Sequence, residues 1–267
     1  MKFILLLLFP FCTAAQDNIT RTDTYMKAEA ELYGFNGNVL VSKNGKIIYK
    51  RSFGYADYDS KQALNDTSIF DCGSITKEFT AMGILLLKDK GMINYADTLR
   101  KFFPELPYSN ITIQQLLTHT SGMPDGFELV EKFFDHSKIA TNADLVSLLA
   151  REKPALLFKP GGNLMYSGTA FNMLASIIEK ISGQSYNQYL EEHVFKPLGM
   201  LHTQVANRQR SAGQIPGLAN GFVYSDSLKK YVRAERTDKA WTTFLVGING
   251  EGMIITTTGD LLKWDRR

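Results

Sequence analysis

The sequence predicts an α/β chain of the α+β type, in which an antiparallel hairpin near the N terminus leads into a mainly helical region. Two observations carry this. Between Asn38 and Tyr49, two β-rich runs flank Asn44-Gly45, the dipeptide suited to a two-residue hairpin turn because both turn residues need positive φ. Downstream, apolar residues recur at helical spacing behind capping pairs: Thr112 with Gln115, Thr141 with Asp144, and Ser185 with Gln188.

Taken in order, the chain opens with Lys2, an apolar run from Phe3 to Phe11, and Thr13-Ala14-Ala15. That pattern fits a signal peptide over 1–15, cleaved before Gln16, so the protein is expected to be exported, periplasmic or secreted. The run is too short to span a bilayer, and no later stretch reaches the roughly 20 apolar residues that a transmembrane helix needs. Removing the signal also removes Cys12 and leaves Cys72 alone, so no intramolecular disulfide is expected. Residues 23–33 have helical composition, the hairpin follows, and 51–59 is rich in Gly and Tyr. Phe79, Met82, Ile84, Leu85, Leu86 and Leu87 form an apolar-periodic helix that stops at Gly91. Another runs from Gly168 through Phe171, Leu174, Ile178 and Ile181 to Gly183, and the Ser185 helix extends through Tyr189 to Phe195. Residues 203–239 are polar and irregular, with one short hairpin at most, and Thr258 is placed to cap a last helix through Trp264.

At 267 residues, 44% hydrophobic, with a formal charge of +3 spread without a basic run, the chain can bury a core and shows no nucleic-acid footprint. His119, His136, His193 and His202 lack metal-ligand spacing, so no metal is expected. Gly247, Gly250 and Gly252 are in the wrong order for a dinucleotide fingerprint and read as turns; no cofactor is expected.

The chemistry concentrates at Ser74 and Lys77. Residues i and i+3 share a helix face, so the Lys77 amine can reach the Ser74 hydroxyl and activate it as a nucleophile. An unperturbed lysine, with a pKa of about 10.4, needs desolvation or a second cation to serve as a base near neutrality. A helix starting at Ser74 would also aim free N–H groups at a developing oxyanion. Ser227 and Lys230 have the same spacing inside a polar, turn-like stretch, and only the Ser74 pair precedes an apolar-periodic helix. Cys72 reads as a small core residue rather than a thiol nucleophile.

Four segments together carry a resemblance: Ser74-Ile75-Thr76-Lys77, then Leu116 to Pro124 with Thr118-His119-Thr120-Ser121-Gly122, then Phe158-Lys159-Pro160-Gly161-Gly162 leading to Tyr166-Ser167, and finally Gly252-Met253 with Thr256-Thr257 and Asp260 to Trp264. From about Phe35 onward the chain resembles the class C β-lactamase-like and penicillin-binding serine hydrolases. The resemblance implies a β-lactamase/transpeptidase-like fold, with antiparallel sheet flanked by a mainly helical region. It implies acylation of Ser74, with Lys77 and Tyr166 managing the proton, and a peptidoglycan-derived peptide, β-lactam or small ester as substrate. Tyr108-Ser109-Asn110 spells the family's Tyr-x-Asn literally, whereas Tyr166-Ser167-Gly168 does not. Tyr166 is preferred because it follows the Pro-Gly-Gly turn and precedes a helix. The His119 loop is structural in the resembling family, which disfavours a Ser121–His119 scheme.

The resemblance further implies a third element, Lys or His followed by Thr or Ser and Gly, that has no counterpart before Arg267. Residues 16–267 are therefore expected to be a partial domain lacking C-terminal sheet strands, and unstable or inactive alone. A catalytically impaired relative that binds cell-wall peptides or a partner protein is the second reading, supported by Gly168 and that missing element.

Overall fold

A computed structural model describes residues 11–206, 215–233 and 247–266. A long helix, α1 (Phe11–Tyr33), packs on a two-stranded antiparallel sheet of β1 (Gly37–Lys43) and β2 (Lys46–Phe53). The turn is the one the sequence predicts: Asn44 and Gly45 take φ of 50° and 73°, and Lys43 pairs with Lys46. A bulge at Val41/Ser42 shifts the register. A second small sheet joins β3 (Tyr55–Asp57) and β4 (Gln62–Ala63).

Then β5 (Phe70–Asp71) leads into a single 3-10 turn, Gly73–Ile75, and helix α2 (Thr76–Asp89). The helix ends at Lys90 with Gly91 at φ 72°, whose N–H reaches the Lys88 carbonyl, as the sequence predicts. Short helices α3 (Leu99–Phe102), α4 (Ile113–Leu117) and α5 (Gly126–Phe133) follow, then α6 (Asn142–Glu152), α7 (Gly168–Ser182) and α8 (Tyr186–Leu190). All three expected capping boxes form, at Thr112/Gln115, Thr141/Asp144 and Ser185/Gln188. The α8 helix continues as a π turn over Glu191–Phe195.

The core sits around α7, which is buried continuously from Thr169 to Ile178 and packs against α2, α4, α5, α6 and α8. Such a helix, apolar on nearly all sides, serves as the centre of the helical region.

The remaining strands are β6 (Gln204–Val205), β7 (Phe222–Ser225), β8 (Lys230–Arg233) and β9 (Ile254–Thr256), and the chain ends in α9 (Thr258–Asp265). The pair β7–β8 is the one hairpin expected in the irregular region, part of which lies outside the described residues. Strand β9 runs between β5 and β6, antiparallel to both. It thereby fastens the segment before Ser74 to the segment after Gly247. Helix α9 begins one residue earlier than the sequence suggests: Thr257, not Thr258, is the cap, its hydroxyl accepting the Asp260 N–H. Among the described residues no helix is long and apolar enough to cross a membrane.

Candidate active site

Ser74 lies in the 3-10 turn that enters α2 rather than at the α-helix cap, and α2 shows no side-chain cap at Ile75. The turn is pinned from both ends. The Cys72 N–H donates to the Ile254 carbonyl at 3.0 Å, and the Ile254 N–H donates to the Thr76 hydroxyl at 3.2 Å. These bonds leave the Ser74 side chain exposed while the next turn buries Lys77.

From that position Lys77 Nζ donates to Ser74 Oγ at 3.2 Å, and the Tyr166 hydroxyl donates to the same oxygen at 2.6 Å. The sequence separates Tyr166 from Ser74 by 92 residues; the fold joins them because Ser167 caps α7, taking the Ala170 N–H on its hydroxyl, and so places Tyr166 just before that buried helix. Lys77 Nζ also stands over the Tyr166 ring, 4.8 Å from its centroid, and 5.6 Å from that of Phe171. A cation against two aromatic faces in a largely buried position is held by their quadrupoles as well as by hydrogen bonds.

The remaining Lys77 contacts go to a residue that the sequence does not single out. Glu251 accepts from Lys77 Nζ twice, through its backbone carbonyl at 2.7 Å and through Oε2 at 3.3 Å. Its loop is held by asparagines: Asn142 Nδ2 and Asn172 Nδ2 both donate to the Asn249 carbonyl, and Asn142 Oδ1 accepts the Asn249 N–H at 2.7 Å. Gly250, at φ 106°, lets the loop close on α7. A Cβ there would stand 2.4 Å from the Phe171 carbonyl oxygen and 2.7 Å from the Ala175 Cβ. The expected turn at Gly250 is thus also a close approach. The signal available in the sequence is the position of Glu251, immediately before the Gly252-Met253 segment.

His119 supports Tyr166 and is not placed to act on Ser121. It takes a left-handed φ of 57°, its Nδ1 accepts the Ser167 N–H at 3.1 Å, and its ring lies 4.6 Å from that of Tyr166 and 5.1 Å from that of Phe171. Burial, and secondarily the Lys77 charge, lower its pKa, which favours the neutral ring that can accept from Ser167. Ser121 is fully buried and takes the Met123 N–H.

Tyr108, Cys72 and Ser227 are each engaged elsewhere. Tyr108 is buried, donates to the Pro154 carbonyl at 2.8 Å, and burial pushes its pKa up to about 12. Cys72 donates to the Ile254 carbonyl at 3.1 Å and burial raises its thiol pKa, the environment of an inert thiol. Ser227 pairs with Ser225 in the turn between β7 and β8, and Lys230 is exposed on β8. Among the described residues no group of three or more His, Cys, Asp or Glu side chains is arranged to hold a metal ion.

An exposed hydroxyl contacted at once by a phenol and by a buried lysine has two routes for its proton, which is what nucleophilic attack on a carbonyl requires. Penicillin-binding protein 4* of Bacillus subtilis is 38% identical over 252 residues, 94% of this chain and 56% of that protein, so the chain spans about half the length of this curated relative. Among solved structures, a penicillin-binding protein from Bacillus halodurans aligns with a TM-score of 0.76 at 25% identity, over 89% of this chain and 70% of the other. The D-amino acid amidase of Ochrobactrum anthropi aligns with a TM-score of 0.68 at 25% identity, over 87% and 65% respectively. The family described as Beta-lactamase matches residues 24–267, nearly the whole chain, and the chain belongs to that family.

Proposed function

We propose that this chain acts as an exported serine hydrolase of the β-lactamase and penicillin-binding type, which cleaves an amide or ester carbonyl through an acyl-Ser74 intermediate. The observation that carries the proposal is the convergence of the Tyr166 hydroxyl and Lys77 Nζ on Ser74 Oγ, at 2.6 and 3.2 Å. In the acylation step Ser74 Oγ bonds to the carbonyl carbon, and its proton passes to the Tyr166–Lys77 pair in the form that carries one proton fewer, on the phenol oxygen or on the amine. The pair returns a proton to the departing amine or alcohol as its bond to carbon breaks. Within the Gly73–Ile75 turn Asp71 Oδ1 takes the Gly73 N–H and the Cys72 carbonyl takes the Ile75 N–H, so the Ser74 N–H is the donor proposed to face the oxyanion. Water then attacks the ester, gives up its proton to the same pair, and frees the acid and Ser74.

The exposed Ser74 and Tyr166 suit a substrate that lies across the surface, as a cell-wall peptide would. The likeness to a penicillin-binding protein and a D-amino acid amidase supports peptides or amides of D-amino acids. Lys2, the apolar run to Phe11 and Ala14-Ala15 support export with removal of residues 1–15.

Intact-mass measurement of the full-length protein after exposure to a fluorescent penicillin and to a fluorophosphonate tests the proposal. A mass increment with either probe, absent from Ser74→Ala, is expected. A folded protein that takes up neither probe at Ser74 overturns the hydrolase in favour of a fold relative that only binds.

A further inference from the structure

We infer that Glu251 is the positioning residue of this site: its side chain occupies the volume next to Gly168 and holds Lys77 on Ser74. The inference rests on the serine-hydrolase reading above and assigns the residue on which that reading's proton partner depends.

A lysine ammonium has three N–H donors. Here the three contacts go to Ser74 Oγ at 3.2 Å, the Glu251 carbonyl at 2.7 Å and Glu251 Oε2 at 3.3 Å, so one residue takes two of them. The Lys77 side chain is 9% exposed, leaving little water to replace a lost partner, and the Glu251 side chain is 23% exposed. Removing one partner of a largely buried pair leaves the other charge uncompensated and free to turn away.

Gly168 supplies the second half of the inference. A Cβ built at Gly168 meets Glu251 Cγ at 3.5 Å and both Cβ and Oε2 at 3.7 Å, with no other side chain nearer. The first atom of a residue-168 side chain would thus already touch the Glu251 carboxylate, and an amide extended from it toward Lys77 would compete for the space the carboxylate fills. Gly168 is the third residue of the Tyr166-Ser167-Gly168 run, the position at which the Tyr-x-Asn pattern would put an amide to orient the lysine. Glu251, arriving from a loop 83 positions later in the chain, takes over that contact. The Asn142–Asn249 and Asn172–Asn249 bonds and the strand β9 give it a rigid base.

The test measures the rate of Ser74 labelling by a fluorophosphonate in the full-length protein, with the thermal midpoint recorded for every variant and Ser74→Ala as the blank. Glu251→Ala is expected to slow labelling roughly 10- to 100-fold, the span expected for one hydrogen bond to a charged group. Glu251→Gln, whose side-chain carbonyl still accepts from Lys77, is expected to stay within about threefold of the parent. Adding Gly168→Asn to Glu251→Ala is expected to recover most of the lost rate, because the amide then enters the vacated space. A merely structural role for Glu251 would not be repaired from residue 168.

Labelling of Glu251→Ala at the parental rate or faster overturns the inference, as does a folded double variant no faster than Glu251→Ala. If Glu251→Ala does not fold, Glu251→Leu, which keeps bulk but cannot accept from Lys77, is compared with Glu251→Gln: a tenfold or greater loss in the leucine variant alone supports the positioning role, and equal rates in the two overturn it. A folded parent that is not labelled at Ser74 sinks the hydrolase reading itself, an outcome distinct from a labelled parent indifferent to residue 251.

Discussion

Tyr166→Phe isolates one oxygen atom. The substitution removes the hydroxyl 2.6 Å from Ser74 Oγ and keeps the ring that stacks on His119 and faces Lys77 Nζ. Tyr166 is 59% exposed, so its hydroxyl carries little folding energy, and a change in stability within about 0.5 kcal/mol is expected. Loss of a positioned proton donor and acceptor costs typically about 10² to 10⁴ in rate, or about 3–5 kcal/mol of transition-state stabilisation. The matched control is Tyr108→Phe, which removes the buried hydroxyl bonded to the Pro154 carbonyl and leaves that acceptor unsatisfied. It should cost about 1–3 kcal/mol of stability and leave the rate unchanged. Hydrolysis of a p-nitrophenyl ester by the full-length protein, with thermal unfolding measured in parallel, reads both quantities. A Tyr166→Phe enzyme within threefold of the parent, or a Tyr108→Phe enzyme that is stable and slow, would refute the assignment of Tyr166 as the proton partner.

Cys72→Ala should leave Ser74 labelling intact and cost about 1 kcal/mol for the lost contact to the Ile254 carbonyl; abolished labelling in a folded variant would restore the thiol as a candidate. Gly250→Ala places a methyl against the Phe171 carbonyl at a φ of 106°, and overpacking with backbone strain should cost about 2–4 kcal/mol. That corresponds to a drop of roughly 4–16 °C in Tm for a domain of this size, read by scanning fluorimetry. His119 has a folded pKa below its usual 6.5, so the unfolded chain binds the extra proton first. Its contribution to stability is present above about pH 6.5 and is lost as pH falls from there through the folded value. Thermal midpoints at pH 8 and pH 5 should therefore differ less in His119→Asn, a residue that tolerates the left-handed backbone, than in the parent. An equal difference in both would contradict a partly buried imidazole whose pKa is held below its usual value.

The features legible in the sequence are those whose causes lie within a few residues. Asn44-Gly45 makes its turn because both residues accept positive φ. Thr112, Thr141 and Ser185 start helices because each side chain reaches an N–H three residues on. Ser74 and Lys77 meet because one helical turn separates them, although the turn entering α2 is 3-10 rather than α. Tyr166 is singled out by its resemblance to the family pattern, against the literal spelling at Tyr108; in the structure Tyr108 is buried and Tyr166 is exposed. The sequence puts the cap of α9 one residue late because Thr256, Thr257 and Thr258 look alike in sequence, and the register of β9 against β5 determines which of them faces the Asp260 N–H.

Glu251 has one weak local signal, its place immediately before Gly252-Met253, and it lies 174 positions from Lys77. Its role arises where β9 is inserted between β5 and β6, Gly250 lets the backbone approach α7, and the glycine at 168 leaves space for a carboxylate. Short-range hydrogen bonding and backbone stereochemistry are enough to write the turns, the caps and the Ser74–Lys77 pair into the chain. Long-range packing, which brings α7 and the Gly250 loop against α2, determines which phenol meets the serine and which carboxylate holds the lysine, because those contacts depend on the shape of the buried core.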